Sequence, residues 1–197
     1  TVNGVSRLGV ARLDRHGVLV NPFNTVSIGV RALARSASGR LFVGGDIDLS
    51  FSPNLYHMDV PTSVTSLPAL LPAGTDGEVH AMLMLPDGAL VIGGNFTTVG
   101  AHPRARLARI EGNRHLDVTM APTFDGGDIT AAIATSGNAL LVSGEFTTVD
   151  GELRGRMAGI HVSGSLVGPP FSSGNPQLNA PALAMAETPS GDVLVAG

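Results

Sequence analysis

The chain has 197 residues, is 43% hydrophobic and 14% charged, carries a formal net charge of −4, and contains neither cysteine nor lysine, all twelve basic residues being Arg. This balance gives no global field to draw it onto nucleic acid or anionic lipid, and it excludes disulfides, thiolate metal sites and cysteine nucleophiles. No apolar run approaches the ~18–20 residues of a membrane-spanning helix, so no membrane insertion is expected.

With 26 Gly and 13 Pro, about one residue in five, the chain stays below the range of low-complexity sequences and suits a turn-rich all-β protein. It opens with Thr1-Val2-Asn3-Gly4, which matches Thr148-Val149-Asp150-Gly151, followed by RLGVARLDRHGVLV from Arg7 to Val20. Next comes VRALARSASGRLFVGGD, Val30 to Asp46, two strand-like runs around a Ser/Gly turn. The same pattern returns as VHAMLMLPDGALVIGGNFTTVG (Val79 to Gly100), ITAAIATSGNALLVSGEFTTVDG (Ile129 to Gly151) and PALAMAETPSGDVLVAG (Pro181 to Gly197). RARLARIEGNRHLD (Arg104 to Asp117) and RGRMAGIHVSGSLV (Arg154 to Val167) repeat the opening segment. The last Gly of each hairpin, at 45, 94, 144 and 197, sets spacings of 49, 50 and 53 residues.

In the middle unit these runs predict strands at Val79 to Leu85, Ala89 to Asn95, Ala105 to Ile110 and His115 to Met120, then a Pro-Thr-Phe-Asp-Gly-Gly connection. The first strand is apolar on both faces, which calls for a sheet packed on each side. Four-stranded units of about 50 residues with such a strand describe the blades of an all-β β-propeller. The expected organisation is one propeller region over 1–197, with half-blades at 1–25 and 180–197 and full blades near 26–75, 76–126 and 127–179. Sixteen strands make four blades, either a ring closed by pairing the two half-blades or a segment of a larger ring. Both ends fall inside repeats, so the chain is expected to be part of a longer polypeptide.

The Asp-Gly turn, aliphatic strand, Gly-Gly-x-Phe-Thr-Thr-Val-x-Gly and Ala-Arg-Leu/Ile resemble the bacterial delta-60 repeat (DUF5122-like), a β-propeller family of otherwise unknown function. Kelch repeats share the Gly pairs, but Trp is absent and Tyr56 is the sole tyrosine. The delta-60 resemblance implies a bacterial extracellular or cell-surface setting.

Residues present in every unit read as scaffold. The recurrent Asp46, Asn95 and Glu145 after the Gly pairs are expected to bond turn backbone, and Arg7, Arg104 and Arg154 to pair with neighbouring carboxylates or stack along the blade edge. The first full unit departs from the pattern: Asp46-Ile47-Asp48-Leu49-Ser50 replaces the Phe-Thr-Thr-Val segment, and Asn54 to Met58 lacks the Arg-x-Arg lead-in. Asp46 and Asp48 offer two hard oxygens, but the Ca²⁺-loop pattern is incomplete and no metal is expected. Asp125-Gly126-Gly127-Asp128 reads as a turn. Arg31 and His80 hold the same place in two first strands, with Thr130 and Pro181 as their equivalents, and would contact a small anion if that place faced the channel. The binding candidates are therefore Arg31, His80, Asp46, Asp48, Tyr56 and His57. No H-x-x-x-H, H-E-x-x-H, G-x-S-x-G or phosphate loop occurs, so neither a catalytic set nor a cofactor is assigned.

The expected function is a non-catalytic scaffold or interaction module binding protein or glycan through loops on one face. The alternatives are a glycan-active hydrolase or lyase at the central channel, and a component of a structural assembly or fibre.

Overall fold

A computed structural model of the chain describes residues 2, 4, 9–20, 29–47, 53–59, 73–168 and 178–197. No helix occurs among them. The first unit contains β1 (Val30–Arg35), β2 (Arg40–Gly45) and β3 (Leu55–Asp59). The second contains β4 (Val79–Met84), β5 (Leu90–Gly94), the short pair β6 (Thr98–Val99) and β7 (His102–Pro103), and β8 (Leu107–Ile110). The third contains β9 (Phe124–Ala134), β10 (Ala139–Val149), β11 (Glu152–Leu153) and β12 (Met157–His161). A final hairpin is formed by β13 (Ala184–Glu187) and β14 (Val193–Ala196). Every pairing is antiparallel, in the orders β1-β2-β3, β4-β5-β8, β9-β10-β12 with β11 on β10, and β13-β14.

The hairpins close where the sequence supplies turn chemistry. Asp87 Oδ1 accepts from the Ala89 N–H at 2.9 Å and Gly88 takes φ 84°, a backbone that glycine adopts without steric penalty. Each Gly pair then generates a β-bulge. Val30 faces Gly45 and Ala32 faces Gly44, so Arg31 is the extra residue; His80 is the extra residue between Val79 and Ala81. The third unit repeats this at Thr130, between the pairs Ile129–Gly144 and Ala131–Ser143. A Cβ on the second glycine would lie 2.0 Å from Gly29 O at position 45, 2.0 Å from Glu78 O at 94 and 1.9 Å from Asp128 O at 144. Close backbone approach, not positive φ, therefore demands this glycine. The bulge in turn re-aims the extra side chain.

The first residue of each pair serves the next unit. A Cβ at Gly44 would meet Val79 Cγ1 at 2.7 Å, and one at Gly93 would meet Ile129 Cγ2 at 2.6 Å. The third unit has Ser143 here, and the residue it faces is the small Ala182, whose N–H donates to Ser143 Oγ at 2.9 Å. Apolar cores fill the spaces between successive sheets. Val43, Tyr56 and Met58 pack with Val10 on one side of the first sheet, while Phe42 and Leu55 face Leu90, Ile92, Ala108 and Ile110 of the second. Val91 and Leu107 then face Ile129, Leu140, Val142 and Ile160 of the third. Sheets stacked in this manner are the propeller arrangement.

Three expectations are corrected. In the first three units the more deeply buried strand is the second, since all of β5 is buried while β4 keeps His80, Met82, Leu83 and Met84 half-buried; β14 of the last hairpin is exposed. The fourth strand shrinks to single bridges, Leu13–Leu19, Ile110–Leu116 and Ile160–Leu166. In the second unit Asp117 ends it: its Oδ1 accepts from the Thr119 N–H at 2.9 Å and hydroxyl at 2.6 Å, a local turn that competes with the ladder. The Phe-Asp-Gly-Gly stretch is no connection but the start of β9, which pairs with the Phe-Thr-Thr-Val end of β10. Closure is not seen either, for among the described residues β14 pairs with β13 alone.

Candidate functional site

The four first strands follow one another, β1 beside β4, β4 beside β9 and β9 beside β13. Together they line a cavity of about 250 Å³, open to solvent. Arg31, His80 and Thr130, the three bulge residues, all reach it. The fourth position is Leu183, not Pro181: Ala184 pairs with Ala196, and the close approach of Gly197 to Pro181 O aligns Pro181 with Glu78, one place before the apolar residue that recurs in each strand. Leu183 is 74% exposed and lines the same cavity.

Glu78, which composition and spacing had not singled out, joins two of these strands. Its Oε2 lies 2.7 Å from Arg31 Nε and 3.0 Å from His80 Nε2. The first and second units are thus bridged beside this cavity by one carboxylate. Among the described residues, the terminal guanidinium nitrogens of Arg31 and Nδ1 of His80 are left to meet a ligand. Thr130 is engaged, donating from Oγ1 to Ala182 O at 2.7 Å and so tying the third unit to the last hairpin.

The remaining candidates are not brought to this place. Asp46 is exposed at the end of β2, where its N–H donates to Gly29 O at 2.9 Å. Asp48 lies outside the described residues, as does Arg7. Tyr56 and His57 are scaffold: Tyr56 is fully buried among Val43, Ile47 and Met58, and His57, 2% exposed, packs its ring 6.0 Å from that of Phe42. Alternation along β3 sends one to each face of a sheet that is covered on both.

The recurrent polar residues act within the scaffold. Asn95 Oδ1 accepts from the Glu78 N–H at 2.6 Å, the expected backbone role. Arg104 reaches carbonyls rather than carboxylates, at Pro103 and Val118, and Arg154 binds Leu153 O and Glu152. Arg106 and Arg156 do more, although the sequence pattern did not distinguish them. Arg106 donates to Phe124 O and Gly126 O of the following unit, and Arg156 to Leu178 O and Asn179 O. The Thr-Thr pairs are held by carboxylates. Asp76 accepts from the Thr97 hydroxyl and the Thr97 and Thr98 N–H groups, and Asp125 accepts from the Thr148 hydroxyl.

These contacts set the local electrostatics. Burial pushes the carboxyls of Asp76 and Asp117 up, but hydrogen bonds outweigh it in both: from Thr97 and Thr98 onto Asp76, and from Thr119, Arg109 and Met120 onto Asp117. Asp76 ends below its ordinary value, and Asp117 falls to about 2. The Ala89 N–H, opposed by burial and aided by Arg109, lowers Asp87. Arg109 binds Asp117 at 2.7 Å and Asp87 at 2.5 Å, and these two partners outweigh its desolvation and raise it.

That turn, the Gly pair and the Arg109–Asp117 segment coincide with the span matched by a family model, residues 85–117, described as a domain of unknown function (DUF5122) beta-propeller. This segment is similar to a DUF5122 propeller repeat. No curated protein matches the chain. The DUF5122 match begins at Leu85, just after β4, and finishes on Asp117, just past the Ile110–Leu116 bridge. It therefore takes in the turn, the doubly buried strand, the Phe-Thr-Thr-Val hairpin and the third strand.

Proposed function

We propose that the chain is a non-catalytic β-propeller scaffold, an interaction module of a bacterial secreted or cell-surface protein that binds a protein or glycan through loops on one face. The observation that carries this reading is the use made of the recurrent polar groups. Arg106, Arg156, Asp76 and Asp125 each join a unit to itself or to the next. Such groups build a platform, and recognition is left to side chains that differ between copies. The secreted or surface setting follows from the delta-60 resemblance.

The same reading completes a four-blade ring in which the free edge of β14 pairs with Val10–Leu13. Val10 supports it by packing with Val43, Ile47, Tyr56 and Met58, as Leu107 packs against the unit that follows its own. Screening the full chain against a glycan array and a panel of chromogenic glycosides tests the function. Saturable binding without turnover is expected; turnover that His80→Ala abolishes would replace the scaffold reading with a channel hydrolase or lyase.

A further inference from the structure

On the outer side of the second unit a groove of about 420 Å³ is lined by Val99, Ala101, Leu116, His102, Arg114 and His115. The repeat itself shows what is unusual there. Gly17, Arg114 and Gly164 each stand two residues before the bridging Leu19, Leu116 or Leu166, and all three have left-handed backbone, φ 78°, 71° and 98°. Two copies fill this position with glycine, as that backbone favours, and the second places an arginine there against the steric preference. Its neighbours change in concert. His115 corresponds to Val18 and Ser165, and His102, paired with Val99, corresponds to Glu152, paired with Val149.

Left-handed arginines have a structural use elsewhere in this chain. Arg106 and Arg156, at φ 69° and 64°, hold carbonyls of the following segment. The guanidinium of Arg114 makes no hydrogen bond or ion pair with any described residue, and the same is true of the imidazoles of His102 and His115. The one carboxylate in that turn, Glu111, is turned to Asn113 Nδ2 at 3.2 Å. Three N–H-bearing side chains therefore face one groove with no partner among the described residues. A guanidinium beside two imidazoles repels a cation and offers a planar fork matched to a tetrahedral oxyanion, while an imidazole has an N–H to donate in either protonation state.

We propose that this groove binds a phosphate or sulfate group through Arg114, His102 and His115. The inference goes beyond the module reading above, and its failure leaves that reading standing.

The test titrates the full chain with inorganic sulfate and, separately, inorganic phosphate, following amide shifts by NMR. Saturable shifts confined to residues 99–102 and 114–116 in at least one titration are expected. Arg114→Gly restores the residue of the sibling copies, so it should melt no lower than the parent while its affinity falls at least about fivefold. His102→Ala, across the groove, should also weaken binding, and it keeps the test open should the first variant fail to fold. No saturable shift at these residues with either ion, or parental affinity in the variants, overturns the proposal.

Discussion

In the second unit Asp87, Arg109 and Asp117 form one charge network, whereas Gly137, Gly159 and Val167 stand at the matching places of the third. The backbone is unchanged by the exchange. Val91 pairs with Arg109 as Leu141 pairs with Gly159, and the N–H groups of Asp117 and Val167 donate to the carbonyls of Arg109 and Gly159 alike. The fold therefore rests on what the two units share, which is the bulge at the Gly pair and the apolar layers between sheets. The network is a local addition to one blade.

Breaking the shared part should have the largest effect. Gly94→Val and Gly144→Val each drive a Cβ to about van der Waals overlap with a carbonyl one strand away, at 2.0 and 1.9 Å. Both are expected to cost at least about 3 kcal/mol or to abolish folding, in denaturant titrations. Parental stability in either would mean that the bulge is not what requires glycine.

An intermediate effect is expected where the units differ in size across the inter-sheet space. Gly93→Ser imitates the third unit but meets Ile129 instead of Ala182, and should cost roughly 1–3 kcal/mol. Adding Ile129→Ala should recover part of that loss, with a coupling of about 1 kcal/mol in a double-mutant cycle. Additive losses would show that Gly93 and Ile129 do not share one space.

The charge network gives the smallest of the three effects, and its sign with pH is fixed. Asp117 is held down to about 2 in the folded chain, against an ordinary 3.8, so its stabilisation is complete above the unfolded value and is lost as pH falls toward 2. Asp117→Asn should cost roughly 2 kcal/mol at neutral pH and flatten the acid limb of the stability profile between about pH 4 and pH 2. The third unit has no counterpart at Val167, so Val167→Asn should leave that limb alone.

Much of this was legible in the amino-acid pattern. Turn residues at Asp87-Gly88, the aliphatic runs and the Gly pairs are short-range signals, and they placed β2, β5 and the first half of β10, but not its continuation to Val149. Burial of the first strands was misjudged because an apolar residue reads alike whether it faces a neighbouring sheet or an open cavity, as Leu33 at 47% exposure shows. Tyr56 and His57 looked like exposed specialities of an irregular unit because strand alternation cannot say that both faces of β3 are covered. Leu183 was missed through a misplacement of two residues in a hairpin with few landmarks. Arg106 and Arg156 act on carbonyls 18 and 22 residues away, a pairing that no local motif encodes.

The central claim is that the first strands of all four units gather around one channel. Because the chain has no cysteine, Leu33→Cys and Leu183→Cys can be joined by a short bis-maleimide without background. The account predicts an efficient intramolecular cross-link at high dilution in the folded chain, lost in denaturant. Cross-linking that appears only between molecules, or not at all, would contradict it.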